Sequence, residues 1–228
     1  MDIALVGDSV ANVRLGYPNT LPVTVEEMLH HVKASARGVE QAFLVADMPF
    51  LSYEAAPWEA AKTAGRFVKE GKAQAVKLEG GKRVATSIKA ILNANVPVMG
   101  HLGLVPQSVH KMGGYHVQGK KPAEAQEIFK DAKLLQSLGV FSIVLEGIPS
   151  PLAKKITRAL HIPTIGIGAG PHCDGQILVL DDMLGLTEGH SPKFVKHFAS
   201  LRPTMDKAIR QYQIEVESHR FPTQAQSY

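Results

Sequence analysis

Seven short runs of β-type apolar residues punctuate this chain, and stretches with helical spacing separate them. The runs are "IALVGD" (3–8), "AFLVAD" (42–47), "AVKLE" (75–79), "VPVMGH" (96–101), "SIVLEG" (142–147), "PTIGIG" (163–168) and "QILVL" (176–180). Between them, "TVEEMLHHVKASARG" opens on a capping box of Thr24 and Glu27 and stops at Gly38. "KPAEAQEIFKDAKLLQSLGV" starts at Pro122 and ends at Gly139, and "SPLAKKITRALHI" places Pro151 at its first helical position. "APWEAAKTAGRFVKEG" and "GKRVATSIKAILNANV" carry apolar residues at three- and four-residue steps. Strand and helix in repeated alternation imply a parallel sheet, since a parallel neighbour is reached only by a crossover. The runs are apolar throughout instead of alternating, so both sheet faces are buried. Seven such units favour an α/β fold of the (β/α)8 TIM-barrel type over a shorter doubly wound sheet, with one βα unit absent before residue 3.

Glycine and proline are spread evenly, so residues 1–228 read as one β/α-barrel domain with a polar tail from about 217, loosely held. The longest nonperiodic stretch, "LVPQSVHKMGGYHVQGKK" (104–121), follows a strand and suits either a lid or substrate loop or a disordered connector. No apolar run approaches the ~18–20 residues of a membrane span. A basic lead and cleavage site for secretion are not visible. Cys173 is the single cysteine, which excludes an intrachain disulfide and a cysteine-rich zinc site and fits a cytosolic setting. The net charge of +4 is carried by scattered lysines and aromatics are only 6%, so no basic stripe for nucleic acid stands out. A small anionic substrate is compatible with this charge.

Polar residues fall at the strand ends. Asp8, Asp47, Glu79, His101 and Glu146 each close an apolar run. A single aspartate there reads as a helix cap, but in a β/α barrel all these ends meet at the face where active sites are built. Several carboxylates on one rim repel unless a cation or protons compensate. Asp8, Asp47 and Glu79 supply oxygen donors suited to Mg²⁺, which would stabilise an enolate of a 2-oxo acid. Lys77 lies two residues before Glu79 and shares its side of the strand, where it would pair with a carboxylate of the protein or of a substrate. The apolar approach "SIVLE" suits Glu146 to act as general base, or to serve as an ion-pair partner. "GIGAG" (166–170) is a weak dinucleotide fingerprint and reads better as close packing. These residues alone admit a metal-dependent lyase or mutase acting on oxo acids, and also a noncatalytic metal-binding subunit.

"VGDS", "LPVTVEEMLHH", "VADMPF", "VKLEGG", "VPVMGHLGLVPQ", "VLEGIP", "IGIGAGPHCDGQILV" and "EGHSPKFVKHF" occur in that order along nearly the whole chain. Taken together they resemble the ketopantoate (3-methyl-2-oxobutanoate) hydroxymethyltransferase family of pantothenate synthesis. The resemblance implies a (β/α)8 barrel of the phosphoenolpyruvate/pyruvate superfamily and a large homo-oligomer, a decamer in the family. It implies Mg²⁺ held through Asp8, Asp47 and Glu79, the oxo acid contacted by Asp8, Ser9, Asp47 and Lys77, and Glu146 as proton acceptor. His101 matches a family histidine beside the site, with no chemical role assigned. The co-substrate implied is 5,10-methylenetetrahydrofolate. Relative to that family a strand–helix unit of roughly 30 residues is absent before "VGDS", which would leave strand edges exposed.

Overall fold

Seven strands among the described residues form one parallel sheet in sequence order. They are β1 (Ile3–Val6), β2 (Phe43–Asp47), β3 (Ala75–Glu79), β4 (Val98–Gly103), β5 (Ser142–Glu146), β6 (Thr164–Ile167) and β7 (Gly175–Gln176). This is the strand order of a β/α barrel, with β1 and β7 outermost. The computed structural model describes residues 1–189 and 191–228, so His190 of "EGHSPKFVKHF" lies outside the described residues. The helices of the sheet region are α1 (Val10–Val13), α2 (Val25–Ala36), α3 (Pro57–Lys69), α4 (Ala85–Asn93), α5 (Val109–Met112), α6 (Pro122–Leu138) and α7 (Ser150–Ala159). The Thr24–Glu27 capping box starts α2: Thr24 Oγ1 accepts from the Glu27 N–H at 3.1 Å, and the Glu27 carboxylate accepts from the Thr24 N–H at 2.7 Å.

Side chains alternate across a strand, so each strand feeds two different layers. Leu44, Ala46, Val76, Leu78, Ile143 and Leu145 join the large core shared with Met28, Phe67, Ile88, Leu135 and Ile156 of the helices. The intervening residues Val45, Ala75, Met99 and Val144 form a second, smaller apolar cluster on the other face, with Leu5 and Ile165 packed against it. Two residues further along the same strands, on this second face, come Asp47, Lys77, His101 and Glu146. The apolar cluster is thus a floor on which the polar side chains stand.

The chain divides into two compact units, 1–177 and 178–228, where the sequence reads as one domain. The second contains α8 (Leu180–Leu184) and α9 (Leu201–Glu217). The run "QILVL" is a strand only at its first residue, and Leu180 begins α8 instead. Asp181 and Asp182 fall in the first turn of that helix, where the positive end of the helix dipole favours them. In β4 the strand begins at Val98, after Pro97, and runs to Gly103, so His101 lies within it. Helix α7 starts at Ser150, one residue before Pro151. The stretch 104–121 carries a 3₁₀ turn (Pro106–Ser108) and α5. The tail after Glu217 turns back: the Arg220 and Phe221 N–H groups donate to the Glu215 carbonyl, and the Phe221 ring meets Tyr212 edge-on at 5.6 Å. Along α9 itself Met205, Ile209, Tyr212 and Val216 share one face and are exposed.

Gly103 ties β4 to β5. Its φ of +99° is a conformation that side-chain-bearing residues rarely adopt, and a Cβ there would run into the Glu146 carbonyl oxygen. That same oxygen accepts from the Leu104 N–H at 2.8 Å. Gly65, in α3, has open space around it. In chemical denaturation Gly103→Ala should therefore lose at least ~1–2 kcal/mol, while Gly65→Ala should gain ~0.5–1 kcal/mol.

Candidate active site

Buried charge converges at the C-terminal ends of β1 to β5. Lys77 is the centre: its ammonium lies 2.9 Å from Asp47 Oδ1 and 3.2 Å from His101 Nδ1, with both neighbours buried. The register places Asp47 beside Lys77 and Glu79 beside His101 on adjacent strands. Asp47 Oδ2 accepts from the Asp8 backbone N–H at 3.1 Å, which ties the loop after β1 to β2. His101 reaches two carboxylates, with Nδ1 3.4 Å from Glu79 Oε1 and Nε2 3.2 Å from Glu146 Oε2. Glu146 is the least buried of the four acids, its side chain 17% exposed against 1% for Glu79 and 2% for Asp47.

The structure thus brings Asp8, Asp47, Lys77, Glu79, His101 and Glu146 into one connected cluster. Ser9 is adjacent in sequence, at the start of α1, and its hydroxyl does not cap that helix. Two side chains join the cluster that the strand-end pattern does not reveal. Gln107, 4% exposed, donates through Nε2 to Asp8 Oδ2 at 2.8 Å and to the Met48 carbonyl at 2.9 Å. Its backbone N–H donates to Glu79 Oε2 at 3.0 Å. Tyr53, fully buried, donates its hydroxyl to Gln107 Oε1 at 2.5 Å and accepts from the Glu79 N–H at 3.2 Å. Both residues lie in βα loops, not at strand ends. Their visible signal is apolar context: Gln107 follows Leu104, Val105 and Pro106.

Burial controls the titration of these groups. Asp8 is pushed up to about 8 by burial first, then by the Asp47 and Glu79 charges, against the pull of Lys77 and Gln107. Burial raises Asp47 as well, against the opposing pull of Lys77. Lys77 goes the other way from what burial alone dictates: the surrounding carboxylates Asp47, Glu79 and Asp8 hold its ammonium above the usual range. For His101, burial and the Lys77 charge press the imidazole down. Hydrogen bonds to Glu146 and Glu79 outweigh them and carry it up to about 9. A protonated His101 has no lone pair for Lys77, so the Lys77 ammonium is left to Asp47 while His101 sits within ion-pair distance of Glu79 and Glu146.

Three of these acids, Asp8, Asp47 and Glu79, offer hard oxygen donors of the kind Mg²⁺ takes. Among the described residues no three Asp, Glu, His or Cys side chains already converge as a cation cage. In this arrangement the acids face Gln107, Lys77 and His101. Elsewhere, Gly166 of "GIGAG" packs tightly: a Cβ there would lie 3.1 Å from Cys173 Sγ and from the Gln176 amide. Burial pushes the Cys173 thiol up, which disfavours the reactive thiolate.

The sequence profile described as ketopantoate hydroxymethyltransferase matches residues 1–224. The chain belongs to this family. A Thermoanaerobacter sp. (strain X514) protein named 3-methyl-2-oxobutanoate hydroxymethyltransferase is 54% identical over 228 residues, all of this chain and 83% of its own length. A protein of the same name from Geotalea uraniireducens (strain Rf4) is 55% identical over all of this chain and 85% of its own. The crystal structure titled as a "putative lyase/mutase" from Burkholderia cenocepacia J2315 matches with a TM-score of 0.56 at 14% identity, over 97% of this chain and 76% of that one. That likeness concerns the fold alone. Hydroxymethyltransferase membership makes the chain an enzyme of one-carbon transfer.

The raised His101 and Asp8 values set a pH dependence. A group that binds its proton more tightly when folded stabilises the fold at low pH and loses that contribution as pH rises through the folded value. Without divalent cations, the protein should lose stability from pH 6.5 to beyond 9 as His101 gives up its proton, adding to a loss from Asp8 that begins above pH 4 and runs past 8. His101→Gln should make the decline between pH 6.5 and 9 shallower, leaving the Asp8 part, measured by chemical denaturation at a series of pH values.

Proposed function

We infer that this chain transfers a hydroxymethyl group from 5,10-methylenetetrahydrofolate to 3-methyl-2-oxobutanoate, forming 2-dehydropantoate. The observation that carries this reading is the buried cluster itself: four carboxylates, a lysine and a histidine linked across five strand ends. The names of the relatives support the substrate.

Asp8, Asp47 and Glu79 would hold a divalent cation. The donor set fits one: all its side-chain ligands are oxygen, and burial together with the Asp47 and Glu79 charges raises Asp8, a penalty that a bound cation would relieve. Such a cation, when bound, supplies charge stabilisation at the keto oxygen. The protein's own groups do the rest. Lys77, ammonium locked on by its acidic neighbours, attracts the anionic oxo acid to the cluster. Asp8, Ser9 and Asp47 line the same rim and orient it. Glu146, on the open side of the cluster, removes the proton from C3, and His101 holds its carboxylate in place. The enolate carbon then bonds to the one-carbon unit, both carbon–nitrogen bonds that held that carbon to folate break, water supplies the hydroxyl, and the C3 proton and a water proton end on the two folate nitrogens as tetrahydrofolate leaves.

We also read the chain as a cytosolic homo-oligomer. The single, partly buried Cys173 suits a reducing compartment. The exposed Met205, Ile209, Tyr212 and Val216 face of α9 suits burial against another copy. Among the described residues no helix is long and apolar enough to cross a membrane.

Loss of 3-methyl-2-oxobutanoate should require 5,10-methylenetetrahydrofolate; turnover without it would sink this reading. Glu146→Gln should lower kcat by ~10²–10⁴ and suppress deuterium exchange at C3 measured without folate. Undiminished exchange would mean another base. In sedimentation, the native chain should be oligomeric and Ile209→Asp should shift it toward smaller species.

A further inference from the structure

Two carboxyl groups, Asp8 and Glu79, are held in the cluster from different strands, and neither is paired directly with Lys77. The group that reaches both is neutral. Gln107 meets Asp8 through its side-chain amide and Glu79 through its backbone N–H. An amide has two ends of similar shape, so its orientation needs a cause. Tyr53 provides it. The Tyr53 oxygen already accepts from the Glu79 N–H, so its one hydroxyl hydrogen is free only for Gln107. That makes the near end of the amide Oε1 and turns Nε2 toward Asp8. The second Nε2 hydrogen is taken by the Met48 carbonyl, in the loop after β2. Every donor and acceptor of the Gln107 amide is engaged, and the Tyr53 carbonyl is itself bound by Ser87 Oγ at 2.7 Å.

We propose that Gln107 is a positioning residue for the transfer reaction, oriented by Tyr53, and that it fixes the Asp8 carboxylate relative to Glu79. The proposal rests on the reading under Proposed function, in which both acids serve the reacting oxo acid. A crosspiece of this kind suits the site better than a cation would. An arginine or lysine would bring another charge into the cluster, whereas an amide holds the acids without adding one. If Tyr53 orients Asp8 through Gln107, removing its hydroxyl costs less once the amide is gone, because only its bond from the Glu79 N–H is then left to lose.

The test is a double-mutant cycle on kcat with Gln107→Met, Tyr53→Phe and the pair. Gln107→Met should lower kcat about 100-fold, the scale of an ~1 Å misplacement of a reacting group. Tyr53→Phe should lower it less, because the amide remains but is free to turn. The double variant should lose clearly less than the product of the two single losses. The loss should fall on kcat, with KM for 5,10-methylenetetrahydrofolate unmoved, and C3 deuterium exchange should drop in the same ratio. Thermal melting of each variant identifies simple unfolding, and the milder Tyr53→Phe keeps the cycle informative if Gln107→Met folds poorly. Effects that multiply, a Gln107→Met enzyme at full kcat, or losses that track melting temperature and raise both KM values would overturn the proposal. A wild type inactive in the transfer assay would overturn the functional reading as well, which separates the two failures.

Discussion

A lysine ammonium sealed away from water is costly to fold around, and the site is arranged around it. Stripping water from an ammonium and a carboxylate costs several kcal/mol for each ion, and good geometry is needed to offset it. Lys77 and Asp47 approach to 2.9 Å, and the other carboxylates nearby add to the attraction. Asp47 then spends its other oxygen on the Asp8 backbone N–H, so the charge at the centre also fixes where the first strand's loop enters the site. His101 lies against the same ammonium and within ion-pair distance of Glu79 and Glu146. Removing either member of the central pair would leave the other buried without its ion-pair partner, a change that costs about 3–5 kcal/mol.

Around this pair the cluster divides its tasks by exposure and charge. The deepest acids are tied down by backbone N–H groups, an amide and an imidazole. Glu146, the most open, is tethered by His101 at one oxygen. A general base needs this mixture of fixed direction and access to substrate. Protonated His101 also balances part of the acidic excess without competing with Lys77 for Asp47.

The strand ends were legible because burial made them so. A carboxylate or imidazole that closes an apolar run has few reasons to be there except a shared rim, which is why Asp8, Asp47, Glu79, His101 and Glu146 stand out from the sequence, and Lys77 through its spacing from Glu79. Gln107 and Tyr53 do not stand out. They are uncharged, they come from loops, and their importance lies in hydrogen bonds between positions 26 to 99 residues apart. The run at 176–180 misleads for a related reason: its apolar residues are followed by two aspartates that favour a helix start. Helix α9 was hidden by its polar composition, and only the spacing of Met205, Ile209, Tyr212 and Val216 betrays it.

The two-layer strands have a consequence for folding fidelity. On β3, Lys77 and Glu79 face the polar rim while Val76 and Leu78 face the helices. A slip of one residue between neighbouring strands would exchange the layers. It would drive an ammonium and a carboxylate into the helix-packed oil and leave leucine among the acids, so misaligned sheets lose far more than a few contacts. The groups proposed to carry the chemistry therefore also proofread the register of the sheet. A chain that pairs its strands incorrectly is rejected by its own charges before any substrate arrives.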